Sequence, residues 1–355
     1  MARSFQPRPR SVNLLEPALC AILGERAAVV DVCCGDGDWA RHLCRLGYSV
    51  HGVDHSRRRI ARNRAMAGLE NRSASPDAAF WDTLDVTLAQ HHFRRRPPST
   101  QLFAEMDLES GLEFYRDRYA DAGDFSFVFV GAFDPDSLRP LVETYLGGLP
   151  SIGREESWRD EGIAPPEGVI RKLVYRGVEP KARTVLVFTG EFEHDREQRY
   201  ALRALQDVLQ IRLRERLREE LGGTYSVDVS TTSARYPRPE YSAYIQFGSD
   251  PERLEELVAT VFTQIDSLQT VGPTEEELAK VREAQRRTRE TSLEQNGFWL
   301  SVLMAYDRYG MELGDIMRFE ELVETLDRRM IQEAARRYLR PDNYVQVTLF
   351  PESTD

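Results

Sequence analysis

Cysteine is scarce and confined to one end. The 355-residue chain has Cys20, Cys33, Cys34 and Cys44, and none after residue 44. That makes a poor disulfide framework and suggests a reducing compartment. Histidine is scarce too, with six in the chain. One stretch, "HGVDH" at 51–55, has the H-x-x-[DE]-H form of inverted zinc peptidases. That pattern works on a helix, where residues four apart share a face. Here it sits at the end of an expected strand, and four residues of strand span about 13 Å. Two Zn–N bonds of roughly 2 Å each cannot close that gap. His91 and His92 are adjacent and diverge, and His194 stands alone, so no convincing metal site is expected. No apolar run is long enough to cross a bilayer. The apolar part of the N-terminus is interrupted by Glu16 and Pro17, which argues against a secretory signal and for a cytoplasmic location. Positive charge is in deficit: the net charge is −11, which excludes nucleic acid as an expected partner.

What remains is a globular composition, 41% hydrophobic and 30% charged, in a chain long enough for two or three domains. Arginine dominates the opening segment while the rest is acidic, which marks that segment as different in origin. Residues 27–33 and 48–54 read as strands around a helix at 38–46, and an Arg-rich helix capped by Ser56 runs to about residue 67. Helices are expected at 76–90 and 100–119, and a strand at 125–130. Asp134 should cap the next helix, with Pro135 at its first position and Gly147 and Gly148 ending it. Residues 150–168 lack periodicity and read as a linker. Beyond it come strands at 169–175 and 184–189, then a long helix from Asp195 with Gln198 completing a capping box. Its Leu202, Leu205, Leu209, Leu213 and Leu217 keep helical spacing. A hairpin with a Pro-rich turn, helices at 251–268, 274–309 and 319–338, and a closing strand "YVQVTLF" complete the chain. Mixed helices and antiparallel strands give an α+β class for this part.

One internal echo is informative. "RDRYADAGDFSFVFV" resembles "ARRYLRPDNYVQVTL", each a helix ending in Arg-Tyr followed by an aromatic residue that opens a strand. The two tyrosines, Tyr119 and Tyr338, stand 219 residues apart. A second echo, "DPDSLRPLV" with "DPERLEELV", has another offset and is discounted, because Asp-Pro helix starts are common. The first implies two units, each ending in such a strand. Stepping back by the same offset puts the start of the first unit before residue 1, so that unit is incomplete. Expected boundaries are a fragment at 1–68, an incomplete αβ domain at 69–150, a linker at 151–168 and a complete αβ domain at 169–355.

Two stretches carry resemblances. In "DVCCGDGDWA" followed by "GVDHS", Asp31, Gly35 and Gly37 make a tight strand-to-helix turn and Asp54 ends the next strand. This resembles class I S-adenosylmethionine-dependent methyltransferases over about 27–65. The resemblance implies that Asp31, Gly35, Gly37 and Asp54 contact the cofactor, and that the fold opens with a Rossmann-like βαβ fragment. No alternating strand–helix series follows residue 67, so the loop is expected without its domain.

The second stretch is "RLREELGGTYSVDVS" at 216–230, an Arg in the last turn of a long helix, a Gly-Gly break and a Tyr opening a strand. With "FSFVFVGAFDPDSLRPLVETYLGGLP", "GPTEEELAKVREAQRR" and "LEQNGFWL", it resembles the C-terminal half of the pitrilysin/insulinase family of zinc metallopeptidases, from about residue 71 to the end. The resemblance implies αβ domains of the pitrilysin and processing-peptidase type, a peptide substrate and a zinc-bearing homologous half as partner. It also implies that Arg218 and Tyr225 hold substrate. No catalytic residue, metal ligand or cofactor is expected in this chain; the zinc belongs to the partner half. Family members are also periplasmic. The join between the two resemblances falls near residues 60–75, and a gene fusion, a fragment and an assembly artefact all fit that order. Three readings follow: the substrate-holding half of such a peptidase, inactive alone; a methyltransferase fragment; or a remnant that does neither.

Overall fold

The computed structural model describes residues 74–224 and 226–352, together with 28–29, 49–50, 66, 68–69 and 71–72. It divides into two compact units, 1–71 with 99–103, and 72–98 with 104–355. In the first unit, β1 (Ala28–Val29) pairs in parallel with β2 (Ser49–Val50).

The second unit is built on a five-stranded mixed sheet. Its strands are β3 (Val169–Tyr175), β4 (Ala182–Glu191), β5 (Val227–Ala234), β6 (Glu240–Ser249) and β7 (Tyr344–Phe350), in the order β3-β7-β4-β6-β5. Only the β3–β7 pair is parallel; β4 pairs antiparallel with β7 and β6, and β6 with β5. In chain order the helices of the described residues are α1 (Pro76–Leu88), α2 (Thr100–Ala104), which belongs to the first unit but for its last residue, α3 (Leu108–Arg118), α4 (Pro135–Tyr145), α5 (Arg196–Leu213), α6 (Leu254–Thr270), α7 (Glu275–Leu293), α8 (Asn296–Tyr309), α9 (Phe319–Thr325) and α10 (Arg328–Tyr338). The fold is α+β.

Alternation along the strands makes two cores. Leu186 and Phe188 of β4, with Tyr241, Ala243, Ile245 and Phe247 of β6, face α5, α6 and α10. From α5 the stripe Leu202, Leu205, Leu209 and Leu213, with Leu217 just beyond it, is buried there, as its spacing requires. On the opposite face Val185, Val187, Val345 and Val347 pack against Phe80 and Leu84 of α1. Covered on both faces, β4 reads as a nearly continuous apolar run.

Several elements differ from the sequence expectation. Asp195 caps α5 by accepting from the Gln198 N–H at 2.7 Å, but the Gln198 side chain does not complete a capping box. Its Oε1 accepts from the Tyr338 hydroxyl at 2.6 Å instead. The reciprocal box lies at α7, where Glu277 N–H donates to Thr274 Oγ1 at 3.1 Å and Thr274 N–H to Glu277 Oε2 at 2.7 Å. The expected helix at 274–309 is two helices, because the chain turns at Glu294 and Gln295; the Trp299 indole N–H donates to the Leu293 carbonyl at 2.9 Å across that turn. The helix at 319–338 is likewise two, with Asp327 capping the second. Residues 125–130 form no strand, since no neighbouring strand among the described residues pairs with them. The α4 boundaries hold: Asp134 accepts from the N–H groups of Asp136 and Ser137, and Pro135 opens the helix.

Candidate functional site

The last turn of α5 decides where Arg218 sits. Beyond Leu213 the helix widens into a π-helical turn, Arg214–Glu220. Leu221 N–H donates to Arg216 C=O at 3.2 Å, five residues back, and Gly223 N–H to Leu217 C=O at 3.0 Å. Such widened turns are rare and often mark functional sites. Leu217 is fully buried and anchors the inner side of the turn, while Arg218 points outward and is exposed. Among the described residues Arg218 makes no hydrogen bond or ion pair, whereas nearby charges do: Arg214 with Glu219, and Glu215 with Lys280.

Two glycines then reverse the chain. Gly222 has φ +57°, the left-handed conformation that L side chains rarely adopt. At Gly223 an added Cβ would lie 2.6 Å from Leu257 Cδ2, inside the core. Because Leu257 is fully buried and three of its side-chain atoms lie within 3.3 Å of that position, Gly223→Ala is expected to destabilise by about 1–3 kcal/mol through overpacking. Urea unfolding measures this, and an unchanged midpoint would show that the turn repacks freely. Arg253 donates to the Leu221 carbonyl at 3.0 Å and fixes the reversal from outside. The Thr224 hydroxyl donates to Ser226 C=O at 2.8 Å and accepts from Ser226 N–H at 3.2 Å, a tight turn that leads into β5.

The start of the turn is locked by an ion pair. The Arg212 guanidinium donates Nε to Glu277 Oε1 and Nη2 to Oε2, both at 2.7 Å, and reaches the Gly272 carbonyl at 3.4 Å. Both residues are buried. Burial alone would raise the Glu277 carboxyl, but Arg212 and the Thr274 N–H and hydroxyl outweigh it and hold it below the usual carboxylate range. The end of α5 is thereby fixed to the start of α7 before Arg218 is presented.

Tyr225, expected beside Arg218, lies outside the described residues, as do Asp31, Gly35, Gly37 and Asp54 and the histidines of "HGVDH". Among the described residues no group of three or more His, Cys, Asp or Glu is arranged to hold a metal, so they do not fit a zinc ion. No described helix is long and apolar enough to cross a membrane. Sequence reading missed a cleft of about 900 Å³ near the ends of β4 and β6, lined by Arg238, Glu240, Arg336, Arg337 and Arg340 among others. Its guanidiniums are engaged: Arg238 pairs with Asp160, Arg337 with Glu193 and Arg340 with Asp342, while Arg336 donates to the Gln269 carbonyl. Burial pushes the Glu240 carboxyl up, against a smaller pull down from Arg238.

The widened helix end that presents Arg218 belongs to an α+β unit built on a mixed five-stranded sheet. Residues 105–285 match the peptidase M16 inactive domain, and the chain belongs to that family. The match lies wholly outside the methyltransferase-like stretch at 27–65. Among curated relatives, a "zinc protease PQQL-like" protein of Arabidopsis thaliana is 24% identical over 282 residues, covering 72% of this chain and 30% of the relative. A "probable zinc protease PqqL" of Haemophilus influenzae is 28% identical over 167 residues, 47% of this chain and 18% of that protein. The crystal structure of the periplasmic protease PqqL from Escherichia coli superposes with a TM-score of 0.69 at 19% identity, over 82% of this chain and 32% of its own. The chain thus spans about a third or less of the length of these three proteins.

Proposed function

We propose that this chain is the substrate-holding, metal-free half of an M16-type zinc peptidase and cleaves peptides only beside a zinc-bearing homologous half. The observation that supports this is the exposed Arg218, without a partner among the described residues, at a widened turn whose two ends are pinned, by Arg212 with Glu277 and by Arg253. A guanidinium held in that way offers a fork of donors to a peptide carbonyl. Tyr225 follows the Gly222-Gly223 reversal, and its phenol is of the kind that donates to a developing oxyanion. The zinc chemistry would be supplied by the partner half. A methyltransferase reading through Asp31, Gly35, Gly37 and Asp54 draws no support from the described residues.

The test mixes the full chain with a separately produced zinc-bearing M16 half and follows cleavage of a fluorogenic peptide. The chain alone is expected to be inactive. In the mixture, Arg218→Ala should weaken peptide binding, losing one charge-assisted contact of about 1.5–3 kcal/mol. Tyr225→Phe should lower kcat with little change in KM, because its hydroxyl acts mainly in the transition state. Equal cleavage with both residues changed would remove the substrate-holding role.

A further inference from the structure

Two clefts of the second unit meet at one carboxylate. A cleft of about 500 Å³ lies beside the end of α1, and the cleft of about 900 Å³ lies near the ends of β4 and β6. Glu240, Thr189 and the linker residues Ala164 and Pro165 line both. The linker is tied down there, since the Gln90 side-chain amide donates to the Ala164 and Pro165 carbonyls at 3.1 and 3.4 Å. Glu240 opens β6 and, by alternation from Tyr244, points to the face of the sheet that α1 covers. It pairs with Ala234, the last residue of β5, so it stands at the other end of that strand from the Gly222-Gly223 reversal.

The charges around Glu240 leave it without a donor. Arginines crowd the smaller cleft, but they are already engaged. Arg72 pairs with Asp82, Arg94 with Glu161 at 3.2 Å and Arg96 with Glu105 at 2.7 Å, while the charge of Arg95 acts on Asp85. Arg238, in the turn before β6, gives its Nη2 to Asp160 at 3.0 Å. The Glu240 side chain accepts no hydrogen bond among the described residues, and its Oε2 is wholly buried. Burial pushes the carboxyl up, Arg238 pulls it down by less, and the Asp160 charge adds to the rise. A buried acceptor left without a donor is destabilising, and more so when it is charged.

The surroundings suit one kind of donor. Leu88, Ile163 and the Tyr244 ring give the smaller cleft an apolar wall. Thr189 and Ser242 are cross-strand partners on the face that carries Glu240, so two hydroxyls accompany the carboxylate. An ammonium has three rotatable donors and can reach acceptors on two strands, whereas a planar guanidinium asks for one fork-shaped partner. An aliphatic stem fits the wall while its charged head meets the floor. The volume lies within the range of small-ligand sites, roughly 300–1,000 Å³.

We propose that this cleft binds an alkylammonium group with Glu240 as its counter-ion, the stem lying against Leu88 and Tyr244. Such a group is the side chain of a lysine or the amino terminus of a peptide. The site goes beyond the Arg218 reading and does not rest on it.

The test is ligand-observed NMR on the full chain with three probes. Nα-acetyl-lysine amide carries its ammonium on the side chain, norleucine amide carries it at the α-position, and Nα-acetyl-norleucine amide has the same stem and no charge. The expected result is saturable millimolar binding of at least one ammonium probe, and none of the neutral one at the same concentration. Binding of the first alone assigns the site to lysine side chains, and binding of the second alone to an amino terminus. Glu240→Gln keeps the shape and should weaken binding at least about tenfold, the least that one charge-assisted hydrogen bond is worth. Its urea midpoint should be no lower than that of the wild type, because the carboxylate has no internal donor to lose. Equal binding of the neutral probe, no binding of either ammonium probe, or binding that survives Glu240→Gln would overturn the proposal. So would a lowered urea midpoint in Glu240→Gln, which would give the carboxylate an internal role instead.

Discussion

Arg212→Ala is expected to lower the unfolding free energy of the sheet unit by about 3–5 kcal/mol, because it leaves the Glu277 carboxylate buried and unpaired. The side chain joins three elements. It leaves α5, pairs with the third residue of α7, and reaches the Gly272 carbonyl in the connection from α6. Glu277 cannot turn away, since the same carboxylate accepts from the Thr274 N–H that begins α7. Replacing both partners by apolar residues, Arg212→Met with Glu277→Leu, should recover much of the loss, less the capping bond, which is worth about 1 kcal/mol. The pH dependence has a definite sign. The folded Glu277 carboxyl is held below its usual range, so its contribution is complete above the unfolded value and is lost as pH falls through the folded one. The wild-type and Arg212→Ala midpoints in urea should therefore lie far apart at neutral pH and converge in acid. A gap that stayed constant, or that opened toward low pH, would show that the ion pair is not the source of the loss.

The local parts of this arrangement could be read from the sequence; the pairings across it could not. The leucine stripe of α5 and the Asp134 and Asp195 caps are set by residues within a turn or two of one another, and each lies where spacing and capping chemistry put it. Gln198 shows where such reading stops. Its side chain suits a capping box, but a tyrosine hydroxyl 140 residues away takes its oxygen. Nothing local in Arg212 announces Glu277, 65 residues on, or the parallel register of β3 on β7. Residues 125–130 have the right strand composition and no neighbour, so propensity without a partner leaves an extended, unpaired segment. At the candidate site, Arg218 was legible only through its resemblance to a family. The widened turn that exposes it depends on Leu217 entering the core and on Leu257 facing Gly223, both tertiary facts.

Phe80→Ala is expected to cost a further 3–5 kcal/mol-sized effect, about the range for deleting a buried phenylalanine, and to act from outside the matched family segment. The family match begins at residue 105, after α1, yet Phe80 is fully buried against the sheet face formed by Val185, Val187, Val345 and Val347. Without α1 those four valines on the two central strands would face water, and burial of that kind contributes roughly 25 cal/mol per Å². Around Phe80 the helix is held by Leu84 of the same cluster, by the partly buried Trp81 and Leu88, and by Arg183, which pairs with Asp77 at 2.5 Å and lies 5.9 Å from the Phe80 ring centre. The exposed ion pair adds at most about 1 kcal/mol. Loss of the ring should therefore appear in two measurements at once. The urea midpoint of the unit should fall, and the amides of α1 should exchange faster than those of α5, whose core lies on the other face. Phe80→Leu, which keeps most of the volume, should restore most of both. Should Phe80→Ala leave the midpoint within about 1 kcal/mol of wild type and α1 equally protected, the helix would not be what covers this face of the sheet, and the fold would end where the family match begins.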